Sequence, residues 1–234
     1  MALDLTPLEP GALSPGVTRA VSAPGPARMM AARGMVPMGP KDLITVLYQL
    51  SRDKDPKVAQ TAEATADGLP DNILGAALGE ALDPRILDFY GRKVVDKTEI
   101  VEKILLNKAI HDETMVFFAG KLKERELEIL AGNQQRILGC PKIIEAMYFN
   151  TQARMSTVKR LLELAVRHSL VLDLPQYKEI AASIMGEAKQ REAMPEVEAE
   201  QLQALEEDIM DEAFAEAVAM GDEGVVGEME MEDQ

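Results

Sequence analysis

From Lys41 to about Gln190 the apolar positions recur at intervals of three and four, the spacing that puts them on one side of a helix. Leu43, Val46, Leu47 and Leu50 follow Pro40 in this way and predict a helix ending near Ser51. Asp55-Pro56 is a start signal, Asp as cap and Pro in the first turn, and Val58, Ala59, Ala62 and Ala66 carry that helix to Gly68. Pro70 and Asp83-Pro84 open two more, over 71–81 and 84–92. Further helices are predicted over 97–106, 112–119, 123–131, 141–149, 156–168 and 176–189. Pro141, Ser156 and Pro175 serve as starts, and Gly120, Gly132 and Asn150 as stops. No segment alternates with period two between turn residues, so no sheet is expected.

Both ends depart from this pattern. Residues 1–40 hold seven prolines and no aromatic residue, which predicts a disordered arm with too little bulky apolar surface to offset the entropy of ordering it. Met29 and Met30, flanked by Arg28 and Arg33, are a candidate docking motif within it. After Gln190, Leu202, Leu205, Ile209, Met210, Ala213, Phe214, Ala217 and Val218 mark one side of an acidic amphipathic helix near 200–219; glycines 221, 224 and 227 end it. The expected organisation is a disordered arm over 1–40, an all-α domain over 41–190, and an acidic tail over 191–234. Isolated helices this short are marginal in water, so those of the domain must bury their apolar sides on one another. The expected fold is a stack of short helices forming an irregular α-solenoid-like body.

Three segments share the form Glu-x4-Asn: EKILLN, EILAGN and EAMYFN, ending at Asn107, Asn133 and Asn150. Thr114 and Thr157 each stand seven residues after their Asn and open a new apolar stripe. Taken with the phrase LSRDKDPKVAQTAEA, the runs LLNKAIHDETMVFFAG and YFNTQARMSTVKRLLELA resemble α-solenoid repeats of the HEAT and leucine-rich-variant kind, across roughly residues 45–170. Asn tolerates the left-handed conformation and bonds local backbone, so the three residues read as helix terminators. The resemblance implies a second role, a ladder of Asn107, Asn133 and Asn150 side chains bonding the backbone of an extended peptide.

Charge sharpens the functional reading. The chain of 234 residues carries a formal charge of −15. Sixteen acids and no Lys or Arg lie between Glu192 and Gln234, so the remainder is close to neutral. A near-neutral body with a polyanionic tail does not attract DNA or RNA, which makes nucleic acid an unlikely partner. The lone Cys140 can form neither an intrachain disulfide nor a thiolate metal site, and it points to a reducing, cytoplasmic setting. There is no secretory leader pattern and no apolar run long enough to span a bilayer, so membrane insertion is not expected.

Enzyme signals are missing. His111 and His168 have no ligand or base at a useful spacing, and each reads as a helix-end residue. Cys140 precedes Pro141 at a helix start, where a thiolate would be favoured, but nothing nearby supplies a base. No glycine-rich phosphate loop occurs, and Gly75 and Gly79 read as a close helix-packing pair. Lys121, Lys123, Arg125, Arg154, Lys159, Arg160 and Arg167 are interleaved with acids, as on a solvated mixed-charge surface. The expected function is a non-enzymatic protein–protein interaction module, an adaptor or regulatory scaffold, with no cofactor, metal or small-molecule substrate. Leu202, Leu205, Ile209, Met210 and Phe214 are its candidate partner anchors, placed as in helix-in-groove recognition. The alternative is a nucleic-acid-linked regulator whose acidic tail masks a basic groove.

Overall fold

A computed structural model describes residues 3, 5–192 and 209–210. Thirteen α-helices and one 3-10 turn make up the regular structure of these residues, and no strand occurs among them. The predicted helices are present: α3 (Pro40–Leu50), α4 (Pro56–Asp67), α5 (Asp71–Leu78), α6 (Pro84–Gly91), α7 (Thr98–Leu105), α8 (Asp112–Ala119), α9 (Glu124–Ala131), α11 (Lys142–Tyr148), α12 (Met155–Arg167) and α13 (Tyr177–Glu192). Asp55 and Asp83 cap α4 and α6 as expected, each carboxylate accepting from a backbone N–H two residues on, at 2.9 Å. No described helix is long and apolar enough to cross a membrane.

The N-terminal region differs from expectation. Instead of a disordered arm, residues 10–32 form a 3-10 turn (Pro10–Ala12), α1 (Pro15–Val21) and α2 (Gly25–Ala32). Each starts with a proline in its first turn, where the missing N–H costs nothing and the fixed φ suits a helix. Val17, Ala31 and Ala32 are at most 1% exposed, so small side chains supply the burial that bulky ones were expected to provide. The Ser14 hydroxyl accepts from Val17 N–H and donates to the Asp42 carboxylate at 3.0 Å. Arg28 pairs with Asp53 at 3.1 Å, which ties the expected docking motif to the body. Helices that pack on α3 and α4 thus begin well before residue 41.

The chain divides instead at Gly132 and Asn133 into two compact units. In the first, alternate helices stack: α1 on α3, α3 on α5, α5 on α7 and α7 on α9, while α2 lies against α4 and α6 against α8. α3 touches α1, α2, α4, α5 and α6. Ile44, Val46, Leu47, Tyr48 and Leu50 are each no more than 1% exposed, so α3 is buried around most of its circumference. Polar links reinforce the stack. The Tyr90 hydroxyl donates to Ile44 C=O at 3.1 Å, and burial pushes the phenol pKa far up, keeping it a donor. Lys93 bonds Asp67, Lys97 bonds Asp71 at 2.6 Å, and the Arg125 guanidinium on α9 pairs with Glu102 on α7 at 2.8 Å.

Between α6 and α8 lies a buried carboxylate. Asp88, fully buried, receives the Thr114 hydroxyl at 2.8 Å and two guanidinium bonds from Arg92 at 2.8 and 3.2 Å. Arg92 also stacks over the Phe117 ring, 4.4 Å from its centroid. The helices approach closely because Gly91 has no Cβ; one placed there would lie 3.0 Å from Phe118 Cζ. Gly75 similarly faces α7, where Lys103 Nζ donates to its carbonyl at 3.3 Å.

The second unit contains α10 (Gln134–Gly139), which the sequence reading leaves out, and α11, α12 and α13, each packed on the next. Ile137, Ile143, Ile144, Met147, Val158, Leu161 and Ala165 form its core. Glu145 accepts from Asp173 N–H at 2.7 Å, and the Tyr177 hydroxyl donates to Leu170 C=O at 2.8 Å.

Removing Arg92 strands a buried charge, whereas removing the Thr114 hydroxyl leaves the carboxylate two of its bonds. Arg92→Ala is expected to lower the unfolding free energy by about 3 kcal/mol and Thr114→Val by about 1 kcal/mol, read from urea titrations followed by circular dichroism.

Candidate functional site

The C-terminal end of α3 presents Tyr48, Gln49 and, two residues past the helix, Arg52; α6 brings Arg85 from its first turn. These side chains hold an extended stretch of the N-terminal chain, Leu5 to Leu8, by its backbone. Arg52 Nε donates to Leu5 C=O at 3.0 Å and the Tyr48 hydroxyl to Thr6 C=O at 2.7 Å. Arg85 Nη1 donates to Pro7 C=O and to the Thr6 hydroxyl, both at 3.2 Å. Gln49 grips Leu8 at both main-chain groups, accepting from its N–H at 2.7 Å and donating to its C=O at 3.1 Å. Leu8 is 5% exposed and anchors the segment, while Thr6 and Pro7 face solvent.

Each holding residue is itself held. Tyr48 is fully buried with its ring edge-on to Phe89, centroids 5.5 Å apart. The Arg52 guanidinium lies over both rings, 5.8 Å from the Tyr48 centroid and 5.3 Å from that of Phe89, within cation–π range. Arg85 is forked onto Asp83, Nε to Oδ1 at 2.9 Å and Nη2 to Oδ2 at 3.1 Å, which leaves Nη1 aimed at the segment. Partial burial works to raise the Asp83 carboxyl pKa, but the hydrogen bonds and charge of Arg85 outweigh it and hold the pKa below its ordinary 3.8. The hydrogen bond to Asp83 raises the Arg85 pKa against partial burial, and the charge of Glu9, next to Leu8, acts in the same direction.

The arrangement engages the main chain of Leu5–Leu8 through side-chain donors and acceptors. Asn107 spends its amide inside the first unit: Nδ2 donates to Leu78 C=O at 2.9 Å and to Glu80 C=O at 2.7 Å, closing the end of α5, and Oδ1 accepts from Ala109 N–H at 3.0 Å. In the second unit Asn133 caps α10 by accepting from Arg136 N–H, and Asn150 accepts from Gln152 N–H at 2.9 Å. None of the three has a positive φ; they work through side-chain turns and caps, and the left-handed reading is corrected.

His111 caps α8, its Nδ1 accepting from Glu113 N–H at 3.2 Å, and His168 ends α12. Cys140 ends α10 and does not open a helix; Pro141 separates it from α11. No three His, Cys, Asp or Glu among the described residues are grouped to hold a metal. Arg160 and Arg167 border a shallow recess of about 100 Å³ together with Glu163, Gln134, Leu161 and Leu164, a mixed-charge surface. Of the tail anchors, Ile209 is exposed and Met210 half-buried in helical conformation; Leu202, Leu205 and Phe214 lie outside the described residues. The sequence reading missed Leu8, Tyr48, Gln49, Arg52 and Arg85. Gln49, a polar residue amid the apolar positions of α3, was the available signal.

Compared with family models, curated proteins and solved structures, the chain matches none.

Gln49→Ala removes both bonds to Leu8 and is expected to accelerate hydrogen exchange at the Leu8 amide about tenfold, with amides of α7 and α8 unaffected. The Asp83–Arg85 pair also carries an acid signature. A carboxyl whose folded pKa is lowered contributes stability in full above the unfolded value and loses it as pH falls through the folded one. The gap in thermal midpoint between wild type and Asp83→Asn should therefore narrow as the pH drops from about 5 to about 2.

Proposed function

We propose that this chain is a non-enzymatic protein–protein interaction module, an adaptor whose α-solenoid-like helical body binds extended protein segments in the groove between α3 and α6. One observation carries the reading: four consecutive carbonyls, from Leu5 to Leu8, and the Leu8 N–H are all engaged by side chains of the body. Main-chain bonds of this kind select an extended conformation, and a single apolar pocket then adds sequence preference. The acidic segment with Leu202, Leu205, Ile209, Met210 and Phe214 is proposed as a second contact with a protein partner.

The test uses the full chain with Leu8→Glu, which places a carboxylate at the buried anchor and frees the groove. A labelled peptide of residues 3–10 (LDLTPLEP) is expected to bind it with a Kd on the order of 100 µM by fluorescence anisotropy. Adding Gln49→Ala and Arg85→Ala should weaken that binding at least about tenfold. A peptide that fails to bind a correctly folded Leu8→Glu chain overturns the proposal.

A further inference from the structure

The residues holding Leu5–Leu8 constrain what else the groove accepts. Positions 5 to 8 each offer a carbonyl to a side chain, so any residue type satisfies that requirement. Position 8 must also supply an N–H to Gln49 Oε1, which excludes proline there, and its side chain is buried, which requires an apolar one. At position 7 proline leaves no N–H to be satisfied, fixes its own φ, and biases the residue before it toward extended backbone. Position 6 faces solvent and position 5 is half-buried.

We infer that the groove takes partner segments of the form apolar-x-Pro-Leu, and that the chain's own Leu5–Leu8 segment occupies it in cis as a gate that such a partner must displace. The inference rests on the function proposed above and adds the identity of the partner segment and its regulation. The gate follows from tethering. A segment joined to its site by a few residues competes at an effective concentration in the millimolar range. Set at about 10 mM against an intrinsic Kd of about 100 µM, the cis segment lowers the apparent affinity of an equivalent partner about 100-fold. A partner therefore succeeds by bringing additional contacts, or after the N-terminal segment has been released.

The experiment compares wild-type and Leu8→Glu full-length chains against the peptide of residues 3–10. The expected result is about 100-fold weaker binding to wild type. In the wild-type chain, saturating peptide should also accelerate exchange of the chain's own Leu8 amide, a readout that needs no variant. Within the peptide, Leu8→Ala should weaken binding to the Leu8→Glu chain at least about tenfold and Pro7→Ala about threefold. Equal affinity for both chains, abolished in each by Gln49→Ala with Arg85→Ala, overturns the gate and leaves the groove as a binding site. Equal affinity of all three peptides overturns the assigned segment. Absence of binding to a folded Leu8→Glu chain overturns the underlying function.

Discussion

An eleven-residue helix such as α3 does not hold its shape in water, and it does so here because α1, α2, α4, α5 and α6 all close over it. The five helices in contact with α3 are placed relative to it, and α7 and α8 in turn pack on two of them. Its burial fixes the Tyr48 ring, the ring fixes Arg52 by stacking, and the fully packed apolar positions on either side leave Gln49 pointing at the one stretch of backbone that passes alongside. Tyr48 and Arg52 are thus restrained by their neighbours where they hold Thr6 and Leu5. Side chains already ordered lose little entropy in making such bonds, which is the condition under which a few main-chain hydrogen bonds can hold a short segment.

How far the sequence predicted this structure depended on the range of the determining interactions. Helix starts at Asp55-Pro56 and Asp83-Pro84 are local events, a carboxylate reaching a backbone N–H two residues on, and the expected boundaries of α4 and α6 agree with those found to within about two residues. The N-terminal helices were missed because their stability is not local. Val17, Ala31 and Ala32 are small, and only the proximity of α3 and α4, to which nothing in residues 1–40 points, turns them into core. Among the prolines that suggested disorder, Pro10, Pro15, Pro26 and Pro40 stand in the first turn of a helix.

The groove escaped prediction for the same reason. Its members come from positions 5–8, 48–52 and 85, and no spacing rule joins them. The expected ladder of Asn107, Asn133 and Asn150 rested on the resemblance to helical repeats, not on any pattern that singles out positions 5–8. At Asn107 the amide bonds acceptors close by, the last carbonyl of α5 and that of Glu80 two residues beyond it. The general lesson concerns polar residues amid apolar ones: Gln49 on α3 and Asp88 on α6 each stand beside fully packed neighbours, and each has a specific partner.

The bare backbone at Gly91 gives the buried carboxylate an unexpected guardian. One methyl group there would crowd the Phe118 ring at 3.0 Å while touching the Thr114 side chain only at ordinary contact distance, 3.7 Å. Thr114 donates one of the three hydrogen bonds that Asp88 accepts. The mildest enlargement in that seam therefore falls first on an aromatic ring, and any parting of α6 and α8 that relieved the ring would lengthen a bond to the anion.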